Sequence, residues 1–135
     1  MRTVPHYISG KTVEGQSGRF GDIYNPSTGD VQAQVQLATQ NELSEAVAVA
    51  VAAQRGWSAT NPQRRARVMF KFKELLEANM DELAAILSSE HGKVIADSKG
   101  DIQRGLEVIE FACGIPHLLK GEYTEGAGPG IDVFS

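Results

Sequence analysis

With one cysteine, Cys113, in 135 residues, the chain has no partner for an internal disulfide, so packing and hydrogen bonds must hold the fold, as suits a reducing compartment. Aromatic residues are sparse at 7%, and no apolar run approaches the roughly 20 residues that cross a bilayer. The start, MRTVPHYISG, lacks the apolar core of about 7–15 residues that marks a secretory signal. A cytoplasmic location is the expectation, and mitochondrial import would require a longer precursor. Excess positive charge is missing too: 13 Lys and Arg stand against 17 Asp and Glu, a balance that argues against binding built on phosphate contacts with nucleic acid. Neither GxxxxGK[ST] nor a GxGxxG between strand and helix occurs, so the chain by itself is not expected to bind NAD or any other nucleotide. What is present is ordinary for a globular chain, 41% apolar and 22% charged.

The first forty residues read as extended. Tyr7-Ile8 and Thr12-Val13 flank Ser9-Gly10-Lys11, a tight-hairpin signal, and Phe20 to Tyr24 runs into the turn Asn25-Pro26-Ser27-Thr28-Gly29-Asp30. Val31, Ala33, Val35 and Leu37 then alternate with Gln32, Gln34 and Gln36, the period of a strand with one buried face. Thr39 and Glu42 form a capping box that opens a helix with Leu43, Ala46, Val47, Ala50 and Ala53 as its inward stripe. Arg55-Gly56 is expected to close it, with Trp57 as an anchor beyond. Asn61-Pro62 opens a second helix that carries an apolar face to about Glu90, with a bend near Asn79 and Asp81. A third helix is expected from about Ser98 to His117, opened by a weak box of Ser98 and Asp101, with Ile102, Leu106, Ile109 and Cys113 on one face. Gly126-Ala127-Gly128-Pro129-Gly130 reads as a connector, and Ile131 to Ser135 as a strand left unpaired.

Few residues present themselves for chemistry. Cys113, between Ala112 and Gly114 on a helix, reads as a buried structural cysteine, because a reactive thiolate needs a cation or a helix N-terminus. His6, His91 and His117 show no metal-ligand spacing, and no metal is expected. Glu107 and Glu110 read as a solvated helix face, as do Arg64, Arg65, Arg67, Lys71 and Lys73 in the absence of an aromatic base-stacking platform. Arg104 taken alone is also a solvated helix arginine. A guanidinium can, however, grip a carboxylate with two parallel hydrogen bonds, and Gly100 and Gly105 beside it leave room near the backbone at a cost in helix propensity.

Several segments, in order and spacing, resemble the aldehyde dehydrogenase superfamily together: Tyr7 to Lys11, Asn25 to Gly29, the Arg64-to-Leu87 helix ending in Glu90-His91-Gly92-Lys93, and Gly100 onward. The segment EFACGIPHLLKGE, Glu110 to Glu122, is most similar to the coenzyme-A-acylating methylmalonate-semialdehyde branch. The resemblance implies an α/β fold, namely the amino-terminal strands and helices of the cofactor-binding domain, incomplete as given. Residues 1–127 would belong to that domain, and residues 128–135 would start the strand leading to the oligomerisation hairpin. It further implies a longer parent, a homo-oligomer using NAD and coenzyme A. In the branch reaction a cysteine thiolate attacks malonate or methylmalonate semialdehyde, hydride passes to NAD, and the thioester loses carbon dioxide and is transferred to coenzyme A. The nucleophile and the cofactor motif would lie beyond Ser135. Only Arg104 maps onto a substrate position, the carboxylate-binding arginine. Two rivals stand beside this reading: a general NAD(P)-dependent aldehyde dehydrogenase, and a non-catalytic interaction module.

Overall fold

The computed structural model describes residues 1–135. A three-stranded sheet is built from β1 (Arg2–Val4), β4 (Phe20–Tyr24) and β5 (Val31–Gln36), in the order β1-β5-β4. β4 and β5 run antiparallel across the Asn25–Asp30 turn, whereas β1 pairs parallel to β5 with Arg2 opposite Ala33 and Val4 opposite Val35. The strand read in β5 is observed, but of its expected buried face only Ala33 is fully buried: Val35 is half-buried like the glutamines, and Val31 and Leu37 are exposed. β2 (His6–Ile8) and β3 (Lys11–Val13) form the expected hairpin. Its two turn residues, Ser9 and Gly10, have φ of 56° and 76°, the left-handed pair that matches the twist of the strands.

Helix α1 (Gln40–Ala59) opens on the predicted box: Thr39 Oγ1 accepts from the Glu42 amide at 3.1 Å, and Glu42 Oε2 accepts from the Thr39 amide at 2.7 Å. It does not stop at Gly56. The helix continues through Trp57 to Ala59, and Thr60 ends it by turning extended while its amide and hydroxyl both donate to the Gly56 carbonyl. One interior glycine costs a helix only about 1 kcal/mol, too little by itself to end it. The second helical stretch divides as its sequence foretold, into α2 (Pro62–Ala78) and α3 (Met80–His91) about Asn79. α4 (Ile95–Cys113) begins three residues before Ser98 and ends at Gly114; the last turn expected of it is a separate short helix, α5 (Ile115–Leu118), opened by Pro116. Ser98 is therefore no cap. It is fully buried inside α4 and hydrogen-bonds Ser88 of α3 at 2.8 Å.

α4 packs on both α2 and α3, and the small residues Ala66, Ala84 and Ser98 let the three helices approach while Leu106 and Cys113 fill the seam. The predicted inner face of α4 is the observed one. α1 differs: none of its residues is buried, and Leu43 and Val47 of its stripe are each 54% exposed, because the other elements only border it and none packs closely along its length. The final segment also departs from expectation. Ile131–Phe134 (β7) is not left unpaired but runs antiparallel to β6 (Tyr123–Gly128), joined by Pro129 and by Gly130 at φ 68°, a proline-glycine turn of type II character. The division placed after residue 127 falls within β6.

The accessible surface is 10071 Å², against the roughly 6,900 Å² usual for a closed globule of 14.5 kDa. Only 6 of 135 residues are buried. The elements thus form an open layer whose apolar faces, α1 above all, are uncovered.

Candidate functional site: a lysine-aspartate-arginine cluster on α4

The first turn of α4 follows from the end of α3. Gly92 caps α3 in the left-handed region at φ 78°, its amide donating to the Ser88 carbonyl at 2.9 Å, and the chain then passes Lys93 and Val94 into α4. This reversal brings Lys93 beside Asp101. The Lys93 ammonium donates to Asp101 Oδ2, and one turn along α4 the Arg104 guanidinium donates through Nη1 to Asp101 Oδ1 at 2.9 Å. Asp101 is held ionised below the ordinary aspartate value, chiefly by the hydrogen bond from Lys93 and then by the charges of Lys93 and Arg104.

Arg104 is the one sequence-predicted site residue, and its side chain is 78% exposed. Apart from adjacent residues and the helix's own backbone, nothing lies within 4 Å of where a Cβ would stand on Gly100 or Gly105, so no other element covers the helix surface flanking Arg104. The cluster can therefore present guanidinium N–H groups to an anion arriving from outside these residues. Sequence reasoning missed Asp101 as Arg104's partner and gave it to a capping box. The available signal was its spacing, since acid and arginine three apart on a helix are neighbours.

The remaining candidates do not gather at this cluster. Cys113 is buried at the last turn of α4. His6, His91 and His117 sit on β2, α3 and α5, and no three His, Cys, Asp or Glu side chains converge. Glu107 and Glu110 are exposed. The basic run on α2 is divided: Lys71 pairs with Glu74 and Lys73 with Glu77, each at 2.6 Å, while Arg65 lines an apolar groove of about 330 Å³ with Trp57, Met69, Ile115 and Pro116. The glycine-rich stretch Gly126 to Gly130 lies in the β6-β7 hairpin and opens no helix, so it makes no phosphate cradle.

This layer of strands and helices matches the aldehyde dehydrogenase family over residues 12–134. The chain belongs to that family. Aldehyde dehydrogenases are oxidoreductases. Within the family, this chain is 61% identical, with a TM-score of 0.88, to a candidate methylmalonate-semialdehyde dehydrogenase from Sinorhizobium meliloti 1021 solved with NAD, over 99% of this chain and 27% of that one. It is 43% identical over its whole length to the malonate-semialdehyde dehydrogenase of Pseudomonas aeruginosa, covering 27% of that protein. It is 46% identical over 98% of its length to the acylating, mitochondrial methylmalonate-semialdehyde dehydrogenase of Arabidopsis thaliana, covering 22% of it. The chain thus spans about a quarter of the length of these relatives. No helix is long and apolar enough to cross a membrane.

Proposed function

We propose that this chain forms the amino-terminal part of a coenzyme-A-acylating aldehyde dehydrogenase. The enzyme converts methylmalonate or malonate semialdehyde to propionyl-CoA or acetyl-CoA with loss of carbon dioxide. The observation that carries this reading is the 61% identity over 99% of the chain to the Sinorhizobium protein, and the semialdehyde names of the other close relatives agree with it. In this reading Arg104 holds the substrate carboxylate. An exposed arginine beside open helix surface, with most of its N–H groups free, has the chemistry for that task.

The glycine-rich stretch Gly126 to Gly130 turns a hairpin instead of opening a helix, so in this reading it does not hold the NAD pyrophosphate. The nicotinamide cofactor, coenzyme A and the thiolate nucleophile of this proposal are held by residues outside this chain. The roughly 3,000 Å² of surplus surface is then the face that receives the rest of the enzyme and its neighbouring subunits in a cytoplasmic homo-oligomer.

The test is product analysis with the enzyme that carries this chain. Methylmalonate semialdehyde, NAD and coenzyme A should give NADH and propionyl-CoA in equal amounts. Release of a free acid without any need for coenzyme A would assign the protein to the general aldehyde dehydrogenases instead, and absence of NADH with every aldehyde tried would leave a non-catalytic module.

A further inference from the structure

Asp101 stands between two cations that differ in how firmly they are fixed. Lys93, on the short connection from α3 to α4, has a side chain only 21% exposed and binds Asp101 Oδ2. Arg104, one turn further along α4, is 78% exposed and reaches back to Asp101 Oδ1 at 2.9 Å. The carboxylate is thereby fixed at one oxygen by a sheltered ammonium, and its other oxygen holds one nitrogen of a guanidinium that is otherwise in solvent.

A long, exposed arginine loses rotamer freedom when it grips a ligand. A tether on Nη1 removes part of that freedom beforehand and sets the plane of the fork, while Nη2 and Nε stay available to a second carboxylate. Repulsion between Asp101 and that carboxylate works against binding. Lys93, sitting on the same aspartate with an equal and opposite charge, offsets it. As a contribution to stability an exposed pair three residues apart is worth little, which leaves orientation as the consequence of this one.

We infer that Asp101, itself held in place by Lys93, is a positioning residue that orients Arg104 toward the substrate carboxylate. The inference rests on the reading of Arg104 as the carboxylate-binding arginine.

The experiment compares methylmalonate semialdehyde with propanal, which has no carboxylate, in the enzyme that carries this chain. Asp101→Ala should raise KM for the semialdehyde about tenfold with little change in kcat, and propanal should respond far less. Asp101→Asn removes the same charge but keeps one carbonyl oxygen to accept from Arg104, at the cost of turning its NH2 toward the Lys93 ammonium, and it should recover part of the lost affinity. The difference between these two variants isolates the hydrogen bond from the charge. Equal KM values for both variants, or equal losses on both aldehydes, would overturn the inference. If Asp101→Ala does not fold, Lys93→Met takes its place: it loosens Asp101 and should raise the semialdehyde KM about threefold, and no rise would refute the arrangement. Arg104→Leu is measured in parallel. A selective loss there with none at Asp101 refutes the positioning role alone, whereas a non-selective loss at Arg104 removes the carboxylate reading and this inference together.

Discussion

Gly92 closes α3 directly against Pro26: a Cβ added to the glycine would come within 3.0 Å of the proline Cγ. Two turns far apart in sequence, Asn25 to Gly29 and Glu90 to Lys93, are thus packed on one another. Around them the Gln32 side chain donates to the Ser89 carbonyl at 3.2 Å, and Arg2 pairs with Glu90 at 3.4 Å. The sheet is seated on the end of α3, immediately before the segment that carries Lys93 to Asp101.

Gly92→Ala should therefore destabilise the protein for two separable reasons. Its φ of 78° lies in the left-handed region, where a Cβ costs about 1–2 kcal/mol, and the new methyl also presses on Pro26. Denaturant midpoints in the enzyme that carries this chain should show a loss of at least that size. Pro26→Ala in the Gly92→Ala background should return the part due to contact, and additive losses in this double-mutant cycle would show that the two residues do not press on each other.

The elements legible in the sequence are those whose signals are local. Ser9-Gly10 announces a hairpin, Thr39 with Glu42 a helix start, Asn61-Pro62 another, and each is observed. The parallel pairing of β1 with β5 was not legible, because it joins Arg2 to Ala33 past three intervening strands of the chain and carries no turn of its own. The start of α4 at Ile95 was hidden for the opposite reason: Val94 provides no side-chain cap, and Ser98 with Asp101 imitates one. β6 holds two glycines and reads as a connector until β7 pairs with it. At the candidate site Arg104 was visible as an arginine between glycines. The hold of Lys93 on Asp101 needs the reversal at Gly92, which is a tertiary fact.

The uncovered faces predict how residues 1–135 behave when produced alone. Leu43, Val47, Val51 and Trp57 on α1, and Ile131 and Phe134 on β7, are about half exposed or more. Apolar surface on this scale drives association. Sedimentation should show a concentration-dependent oligomer, a dye specific for apolar surface should bind, and no NADH should form from any aldehyde. A sharp monomer boundary with a cooperative thermal transition would show that the layer is stable uncovered.

Glu42 makes the entry to α1 sensitive to acid. Its carboxylate accepts from the backbone amides of Thr39 and Gln16, each at 2.7 Å, and these bonds, those with Thr39 foremost, hold its pKa below the ordinary 4.5. Because the folded value lies below the unfolded one, the stabilisation is fully present above pH 4.5 and is lost as the pH falls through the lowered folded value. Hydrogen exchange at the Thr39 and Gln16 amides, corrected for intrinsic rates, should lose protection over that acid range. Glu42→Gln should abolish the pH dependence, since the amide keeps an acceptor and has nothing to titrate.

Gly105 separates stability from function. It lies inside α4 with no atom of another element within 4 Å of a prospective Cβ, so Gly105→Ala should stabilise the helix by about 0.5–1 kcal/mol. If the open surface beside Arg104 receives substrate or the remainder of the enzyme, the same methyl should raise KM for the semialdehyde several-fold. A more stable variant with unaltered kinetics would show that nothing approaches the helix there.

The remaining prediction bears on Arg104 itself. Arg104→Leu should remove charge-assisted hydrogen bonds to the substrate carboxylate worth on the order of 1.5–3 kcal/mol, roughly a ten- to hundredfold loss in kcat/KM for methylmalonate semialdehyde. Propanal never makes that contact and should be affected far less. Arg104→Lys should recover only part of the activity, because an ammonium supplies the charge without the planar fork, and from this position it would also lean on Asp101 as Lys93 already does. The two substitutions and two aldehydes together distinguish charge from geometry. Equal losses on both aldehydes would make Arg104 a packing residue and turn the choice of branch toward the general aldehyde dehydrogenases.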